Sequence, residues 1–119
     1  MMTLREVVQL LDCRVLSGSE DLDLTVQTGC GCDLMSDVLA FIKPKALLLT
    51  GLNNIQAVRT AEIAEINAIC FVRGKQPNEE MVDMAASKRI ALLTTSLPLF
   101  EACGKLFAAG LLGCSQQSS

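Results

Sequence analysis

The chain has 119 residues, a formal net charge of −3 and no histidine, and half of its residues are hydrophobic. That length fits one domain, and the missing histidine excludes Ser-His-Asp and Cys-His catalysis together with most catalytic zinc sites. Acidic and basic residues are interspersed, which argues against a nucleic-acid-binding face, and no apolar stretch approaches the ~20 residues that span a bilayer. We therefore expect a cytoplasmic protein with no nucleic-acid partner, no membrane association and no cofactor.

The first predicted element is an amphipathic helix near the amino terminus. Thr3 followed by Glu6 forms a capping box, in which each side chain accepts a hydrogen bond from an otherwise unpaired N–H group of the first turn. Apolar residues then recur at the i, i+3, i+4, i+7 spacing of a helix that buries one face. These residues are Leu4, Val7, Val8 and Leu11.

Two short strands and a second helix are predicted next. Residues 14–18 form the first strand, which ends in a turn at Gly18, and residues 24–32 form the second. Asp33 is the predicted N-cap of the following helix. This helix ends before Pro44, because proline disfavours helical geometry in the residue that precedes it.

Three continuous apolar runs follow, at residues 46–50, 68–72 and 91–95. A strand that is apolar throughout is buried on both faces, which is typical of a parallel sheet between two helix layers. Helix-length segments connect the runs, as right-handed βαβ units require. The predicted fold is a three-layer α/β/α domain with a mostly parallel central sheet over residues 1–112, followed by a polar tail over residues 113–119.

The last predicted helix is apolar around much of its circumference, which is typical of a helix buried on more than one side. One stripe contains Phe100, Cys103, Phe107 and Leu111, and the other contains Leu99, Ala102, Leu106 and Ala109. In so small a domain, we expect one face of this helix to pack on the core and the second face to contact another chain. Homodimerisation is the simplest arrangement, and the alternative is a monomer that buries this helix on more than one side within the same chain.

Polar residues and glycines cluster where the three buried strands end. Parallel sheets bind ligands beyond the carboxyl ends of their strands, where helix N-termini present free N–H groups. We therefore predict a ligand site, suited to a phosphate or nucleotide-like anion, at Thr50, Gly51, Asn53, Asn54, Arg73, Gly74, Lys75, Thr94, Thr95 and Ser96. The alternative is that the asparagines and Ser96 cap helices and that the glycines form turns, which explains Arg73 and Lys75 least well. No glycine-rich nucleotide-binding motif is present.

Cys30 and Cys32 lie one residue apart, with glycines interleaved. In a strand, both thiols project from one face, and the glycines leave the other face bare for a helix, a ligand or a second chain. We interpret the pair as structural, with reduced thiols, because no secretion signal is present. A metal site at Cys30 and Cys32 is the alternative, and it requires further ligands such as Cys13 or Cys114.

The chain resembles the DRTGG domain family over essentially its whole length. The segments LREVVQLLDCRVLSG, DLMSDVLAFIKPKALLLTG and AICFVRGKQPNEEMVDMAASKRIALLTTSLPLFEA follow the family's pattern, with its characteristic positions at Gly51, Gly74, Pro77, Glu79, Glu80 and Thr95. The resemblance implies a fold similar to the N-terminal domain of HPr kinase/phosphorylase and a role in regulation or ligand sensing. Many members have Thr-Gly-Gly where this chain has Arg73-Gly74-Lys75, and Asp-Arg where it has Asn53-Asn54.

Three functions are compatible with these features, and none is enzymatic, because no nucleophile–base pair is recognisable. The first is a non-catalytic regulatory or ligand-sensing module that forms a homodimer. The second is a cysteine-based metal or redox accessory protein of anaerobic, hydrogenase-type electron transfer, a setting that the family resemblance implies. The third is a protein–protein adaptor that docks on an enzyme or kinase encoded by a neighbouring gene.

Overall fold

The structure is a computed structural model of the chain, and it describes residues 1–116. The α-helices are α1 (Leu4–Leu11), α2 (Met35–Phe41), α3 (Ile55–Ile63), α4 (Glu79–Ser87) and α5 (Leu99–Ala108). The strands are β1 (Met2–Thr3), β2 (Arg14–Ser17), β3 (Thr25–Val26), β4 (Thr28–Gly31), β5 (Ala46–Thr50), β6 (Ala68–Phe71), β7 (Ala91–Thr94) and β8 (Leu112–Gly113). Short 3₁₀ helices lie at Ser19–Asp21 and Cys114–Gln116.

Six strands form the central sheet, in the order β2-β7-β6-β5-β4-β8, and β1 pairs with β3 in a separate ribbon. Neighbouring strands of the central sheet are parallel, except that β2 is antiparallel to β7 at one edge. The register places Thr50 beside Phe71 and Phe71 beside Thr94, so β5, β6 and β7 end level with one another. Arg14 pairs with Thr94, so β2 begins where those strands end.

Helices cover both faces of the sheet, and two hydrophobic cores result. Because side chains alternate along a strand, Leu47 and Leu49 pack in the core beneath α1 and α5, whereas Leu48 packs in the core beneath α2, α3 and α4. Every residue of β5, β6 and β7 is buried. The predicted three-layer α/β/α architecture with a mostly parallel sheet is confirmed.

The amino-terminal cap of α1 agrees with the sequence, but that of α2 does not. The Thr3 hydroxyl accepts a hydrogen bond from the Glu6 N–H, and the Glu6 carboxylate accepts one from the Thr3 N–H, each at 3.1 Å. The prediction that Asp33 caps α2 is wrong, because the N-cap is Leu34 and it makes no side-chain cap. Asp33 instead accepts hydrogen bonds from the end of β5.

Glycines in β4 let α5 and the residues after it approach the sheet closely. A Cβ atom on Gly31 would lie 2.5 Å from the Cys103 sulfur, and one on Gly29 would lie 3.1 Å from Leu111 Cδ2. Both distances are shorter than ordinary van der Waals contact. The bare face of this strand, expected from its Gly-Cys-Gly-Cys alternation, therefore packs against a helix of the same chain.

The two apolar stripes predicted on the last helix have different surroundings. Ala102 and Leu106 are buried in the core, whereas the side chains of Phe100 and Phe107 are 88% and 55% exposed. The helix ends at Ala108, so the predicted stripe residue Leu111 lies beyond it and is buried. Within the described residues, α5 thus buries one stripe and leaves two phenylalanines exposed on the other.

The chain returns to the edge of the sheet after α5. Gly113 pairs with Gly29, and the Cys114 sulfur lies 3.4 Å from the Thr28 hydroxyl oxygen. The segment predicted as a polar tail therefore begins within the sheet, and its last residues, 117–119, lie outside the described residues. Between residues 1 and 116, no helix is both long enough and apolar enough to cross a membrane.

Candidate functional site

A cleft of about 300 Å³ opens at the edge of the sheet where β6 and β7 end and β2 begins. We call it the strand-end cleft, and the residues that line it are Asp12, Cys13, Arg14, Gly74, Gln76, Thr94, Thr95 and Ser96. Its volume is at the lower end of the range of small-molecule sites. Its position matches the general rule for ligands of parallel α/β sheets, which bind beyond the carboxyl ends of strands.

The structure divides the predicted ligand residues into two groups. Four of them line the strand-end cleft, namely Gly74, Thr94, Thr95 and Ser96. The other six lie along the same edge of the sheet but outside the lining of the cleft: Thr50, Gly51, Asn53, Asn54, Arg73 and Lys75. A cleft therefore opens at the predicted edge of the sheet, and ligand binding by these residues stays a prediction.

The threonines of the cleft are held by hydrogen bonds within the protein. The Thr94 hydroxyl donates to the carbonyl oxygen of Lys75 at 2.8 Å, and the Thr95 hydroxyl donates to that of Leu11 at 2.7 Å. The Thr95 hydroxyl oxygen also accepts a hydrogen bond from the Leu97 N–H at 3.3 Å. These side chains fix the loop and helix ends that form the cleft, and a ligand would meet mainly backbone groups and the neighbouring charged side chains.

The end of β5 is occupied by a second hydrogen-bonded group. One carboxylate oxygen of Asp33 accepts hydrogen bonds from the Thr50 hydroxyl at 2.8 Å and from the Gly51 N–H at 2.7 Å. Asn54 caps α3 by accepting from the Gln56 N–H, as the structural alternative expects. The neighbouring asparagine, Asn53, caps no helix and donates instead to the Gln76 carbonyl oxygen at 3.1 Å.

The residues after β6 form a tight turn beside the cleft. The Lys75 N–H donates to the Val72 carbonyl oxygen at 3.1 Å, and Arg73 and Gly74 between them have φ angles of 56° and 68°. A hydrogen bond from the fourth residue to the first, with positive φ angles at the two central residues, is the pattern of a type I′ turn. This turn favours Asn-Gly at its two central positions. Arginine is therefore a conformationally unfavourable residue at position 73.

Three cationic side chains without ion-pair partners lie in the cleft or in the turn beside it. Within residues 1–116, ion pairs form between Arg5 and Asp23, Lys88 and Glu62, and Arg89 and Asp21. In that part of the chain, the side chains of Arg14, Arg73 and Lys75 form no ion pair and no hydrogen bond, and all three residues are exposed. Arg14 lines the cleft itself, and so does Asp12. The cleft thus contains both a cationic residue, which could pair with an anion, and an acidic residue, which could accept hydrogen bonds.

Sequence reasoning missed the part of the cleft that comes from the amino-terminal third of the chain. Asp12, Cys13 and Arg14 reach the cleft because β2 runs antiparallel to β7, so that its first residue lies opposite Thr94. The strand itself is predictable from the sequence, but its position at this edge is not. An antiparallel edge strand begins at the edge of the sheet where the parallel strands end, so placing β2 beside β7 would have predicted that residues 12–14 lie at the cleft.

The cysteines predicted as a structural pair pack against the core beneath α2, α3 and α4. Burial, and to a smaller extent the neighbouring thiols of Cys114, Cys32 and Cys103, together raise the pKa of the Cys30 thiol to about 11. Residues 1–116 contain no group of three or more His, Cys, Asp and Glu side chains placed to hold a metal ion. The alternative of a metal site at Cys30 and Cys32 receives no support from the arrangement of the described residues.

A second cavity, of about 310 Å³, lies between β4 and α5. We call it the α5 groove, and it is lined by glycines and apolar side chains together with Cys103: Gly29, Gly31, Leu49, Phe100, Gly104, Leu106, Phe107, Leu111, Leu112 and Gly113. It contains none of the predicted ligand residues. The groove joins the exposed phenylalanines of α5 to the sheet edge at β8.

No protein-family model and no curated protein matches the chain. A solved structure does match it, that of the CBS and DRTGG domains of the regulatory region of Clostridium perfringens pyrophosphatase, complexed with the activator diadenosine tetraphosphate. The TM-score is 0.75 at 14% sequence identity, and the match covers 99% of this chain and 51% of that chain. This chain therefore has a CBS/DRTGG-like fold and spans about half the length of the matched chain.

Proposed function

We propose that this chain is a regulatory module of the DRTGG type, without catalytic activity, that senses a small anionic or nucleotide-like ligand in the strand-end cleft. The observation that supports this proposal best is the cleft itself, which opens beyond the ends of parallel strands beside three cations without partners in residues 1–116. A regulatory region that shares the fold has a nucleotide activator bound in its structure. The matched chain is about twice as long, so its activator indicates only the chemical class of ligand to test on this chain.

The charges of the cleft favour a nucleotide over a bare anion. Arg14 would pair with a phosphate group, because a guanidinium forms strong charge-assisted hydrogen bonds with phosphate oxygens. The nearby carboxylate of Asp12 would repel a simple anion but would accept hydrogen bonds from ribose hydroxyls or a base amine. The exposed side chains of Arg73 and Lys75, in the turn that borders the cleft, would add attraction for further phosphates.

The experiment is a thermal-shift and calorimetric titration with AMP, ATP, diadenosine tetraphosphate and acetyl phosphate. We expect at least one of these probes to raise the Tm and to bind with a measurable Kd. Arg14→Gln should weaken that binding about tenfold or more, since a charged hydrogen bond contributes about 1.5–3 kcal/mol. Arg59→Gln, which removes an exposed arginine from α3, is the charge-matched control and should leave the Kd unchanged. If no probe shifts the Tm, the sensing function is wrong.

We also propose that the module is a homodimer whose subunits meet through the exposed face of α5. The side chain of Phe100 is 88% exposed beside the apolar α5 groove, and burying such surface stabilises an interface by roughly 25 cal/mol per Å². Sedimentation analysis of Phe100→Asp should show a monomer. Phe41→Asp, on α2, changes a residue that is 74% exposed and is the matched control, so it should leave the dimer intact. A monomeric unsubstituted protein would overturn this arrangement.

A further inference from the structure

We propose that Cys13 and Cys70 form a redox-active dithiol pair that closes to a disulfide in the wall of the strand-end cleft. Their sulfur atoms lie 3.9 Å apart. Although they are 57 residues apart in the sequence, both pack in the core beneath α1 and α5. No other pair among the six cysteines has its sulfurs in hydrogen-bonding contact within residues 1–116.

The two thiols have different access to solvent. Cys13 is half-buried and is one of the residues that line the cleft, so we expect a small reagent to reach its sulfur. Cys70 is fully buried in the middle of β6, in the core beneath α1 and α5. An accessible thiol beside a buried one is the arrangement of an attacking cysteine and its resolving partner.

Either sulfur can donate the hydrogen bond between them. When the Cys70 S–H group donates to the Cys13 sulfur, it stabilises a thiolate on Cys13 and lowers the pKa of that thiol. The same bond, together with burial, raises the pKa of Cys70, because its proton is held in the contact. Since the thiolate is the nucleophile in disulfide exchange, Cys13 reacts first.

The reaction that we propose uses a small disulfide, R–S–S–R, as the oxidant. The Cys13 thiolate attacks one sulfur, which forms the mixed disulfide Cys13–S–S–R and releases RS⁻, and RS⁻ takes up the proton that Cys13 had lost. Cys70 then gives up its proton and attacks the Cys13 sulfur, which releases the second RS⁻ and forms the Cys13–Cys70 bond. Two thiols are oxidised, one small disulfide is reduced, and two molecules of RSH are formed.

Closing the bond must move the wall of the cleft. A disulfide bond is about 2.05 Å long, so the sulfurs have to approach each other by roughly 1.9 Å. Cys70 belongs to a central strand that pairs on both sides, whereas Cys13 lies in a connection after Asp12, whose φ of 51° ends α1. Cys13 and its neighbours are therefore the part that moves. The effect on ligand binding rests on the proposed function, but the disulfide itself does not.

The test uses the full reduced chain with bis(2-hydroxyethyl) disulfide as the oxidant, followed by alkylation of the remaining thiols and tryptic mass spectrometry. Each cysteine of the pair is the only one on its tryptic peptide: Cys13 on residues 6–14 and Cys70 on residues 60–73. We expect these two peptides to be linked. The link should be absent from Cys13→Ser and Cys70→Ala and should persist in Cys103→Ser, whose sulfur lies in the same core.

The proposal fails if Cys13 accumulates only the mixed disulfide, or if the linked peptide forms only in urea. Circular dichroism of each variant shows whether it is folded, and Cys13→Ser, which alters a half-buried position, remains informative if Cys70→Ala does not fold. The linked peptide is detected without any ligand. A protein that forms the disulfide but binds no nucleotide would therefore contradict the proposed function alone.

Discussion

Gly31→Ala tests how β4 sets the distance between α5 and the sheet. The new methyl group would lie 2.5 Å from the Cys103 sulfur. Non-bonded contacts are ordinarily about 3.5–4.0 Å, so the sulfur or the helix must move by roughly 1 Å. Such overpacking costs about 1–3 kcal/mol, and the loss of glycine's freedom in the unfolded chain offsets about 0.4–1 kcal/mol of it. We expect the free energy of unfolding to fall by about 1–2 kcal/mol.

A double-mutant cycle with Cys103→Ala isolates the contact. Without the sulfur, the nearest atom to the new methyl group is Leu99 Cδ1 at 3.4 Å, which is close to ordinary contact. Gly31→Ala should therefore be neutral or slightly stabilising in that background, with a coupling energy of about 1–2 kcal/mol from urea unfolding of the four proteins. Gly104→Ala is the control, because a Cβ there meets no atom within 4 Å.

The control should stabilise the protein by up to about 1 kcal/mol, since alanine is the better helix former in α5. The reasoning would be refuted if Gly31→Ala had the same effect with and without the Cys103 sulfur. That result would mean that another contact positions α5. If Gly104→Ala also destabilised the protein, the expected general benefit of replacing glycine by alanine would not apply here.

Three further outcomes follow from the same structure. Arg73→Asn should raise the free energy of unfolding, measured in urea, by about 0.5–1 kcal/mol, because asparagine adopts the positive φ of the first central position of a type I′ turn more readily than arginine. A loss of stability would contradict the turn assignment. Asp33→Ala should lower it by roughly 1–2 kcal/mol and Asp33→Asn by less, because only alanine removes the acceptor that holds the end of β5. Because the pKa of Cys30 is raised to about 11 and that of Cys13 is lowered, alkylation at pH 8 should modify Cys13 much faster than Cys30. The Cys30 rate should keep rising towards pH 11, and tandem mass spectrometry separates it from that of Cys32, which lies on the same tryptic peptide. Equal rates for Cys13 and Cys30 at pH 8 would contradict these shifts.

The interior of the sheet could be predicted from the sequence because its signals are local. Residues 46–49 are apolar at every position, and a strand covered on both faces buries every side chain of such a run. The capping box of Thr3 and Glu6 involves residues three positions apart, so it too can be predicted without a fold. Each of these predictions depends on a pattern within one element.

The sheet edge that carries the cleft could be predicted only in part, because much of it depends on how distant elements meet. Asp33 has the residue type and position of a helix cap, yet it bonds to the end of β5, 17 residues away, where two donors are available. The pairing of Arg14 with Thr94 spans 80 positions and depends on the direction of an edge strand. Neither contact leaves a periodic pattern in the sequence.

The segment from Asp12 to Arg14 joins the two proposals, because it supplies the charged groups of the cleft and the reactive thiol between them. Linkage requires that a ligand which binds the reduced form more tightly also protects that form from oxidation by the same factor. A tenfold difference in Kd between the reduced and oxidised proteins must therefore shift the ratio of dithiol to disulfide about tenfold at fixed oxidant. Titration with mixtures of bis(2-hydroxyethyl) disulfide and its thiol, 2-mercaptoethanol, with and without saturating nucleotide, measures that shift. If the ratio is unchanged although nucleotide binds and the disulfide forms, closing the bond does not alter the cleft.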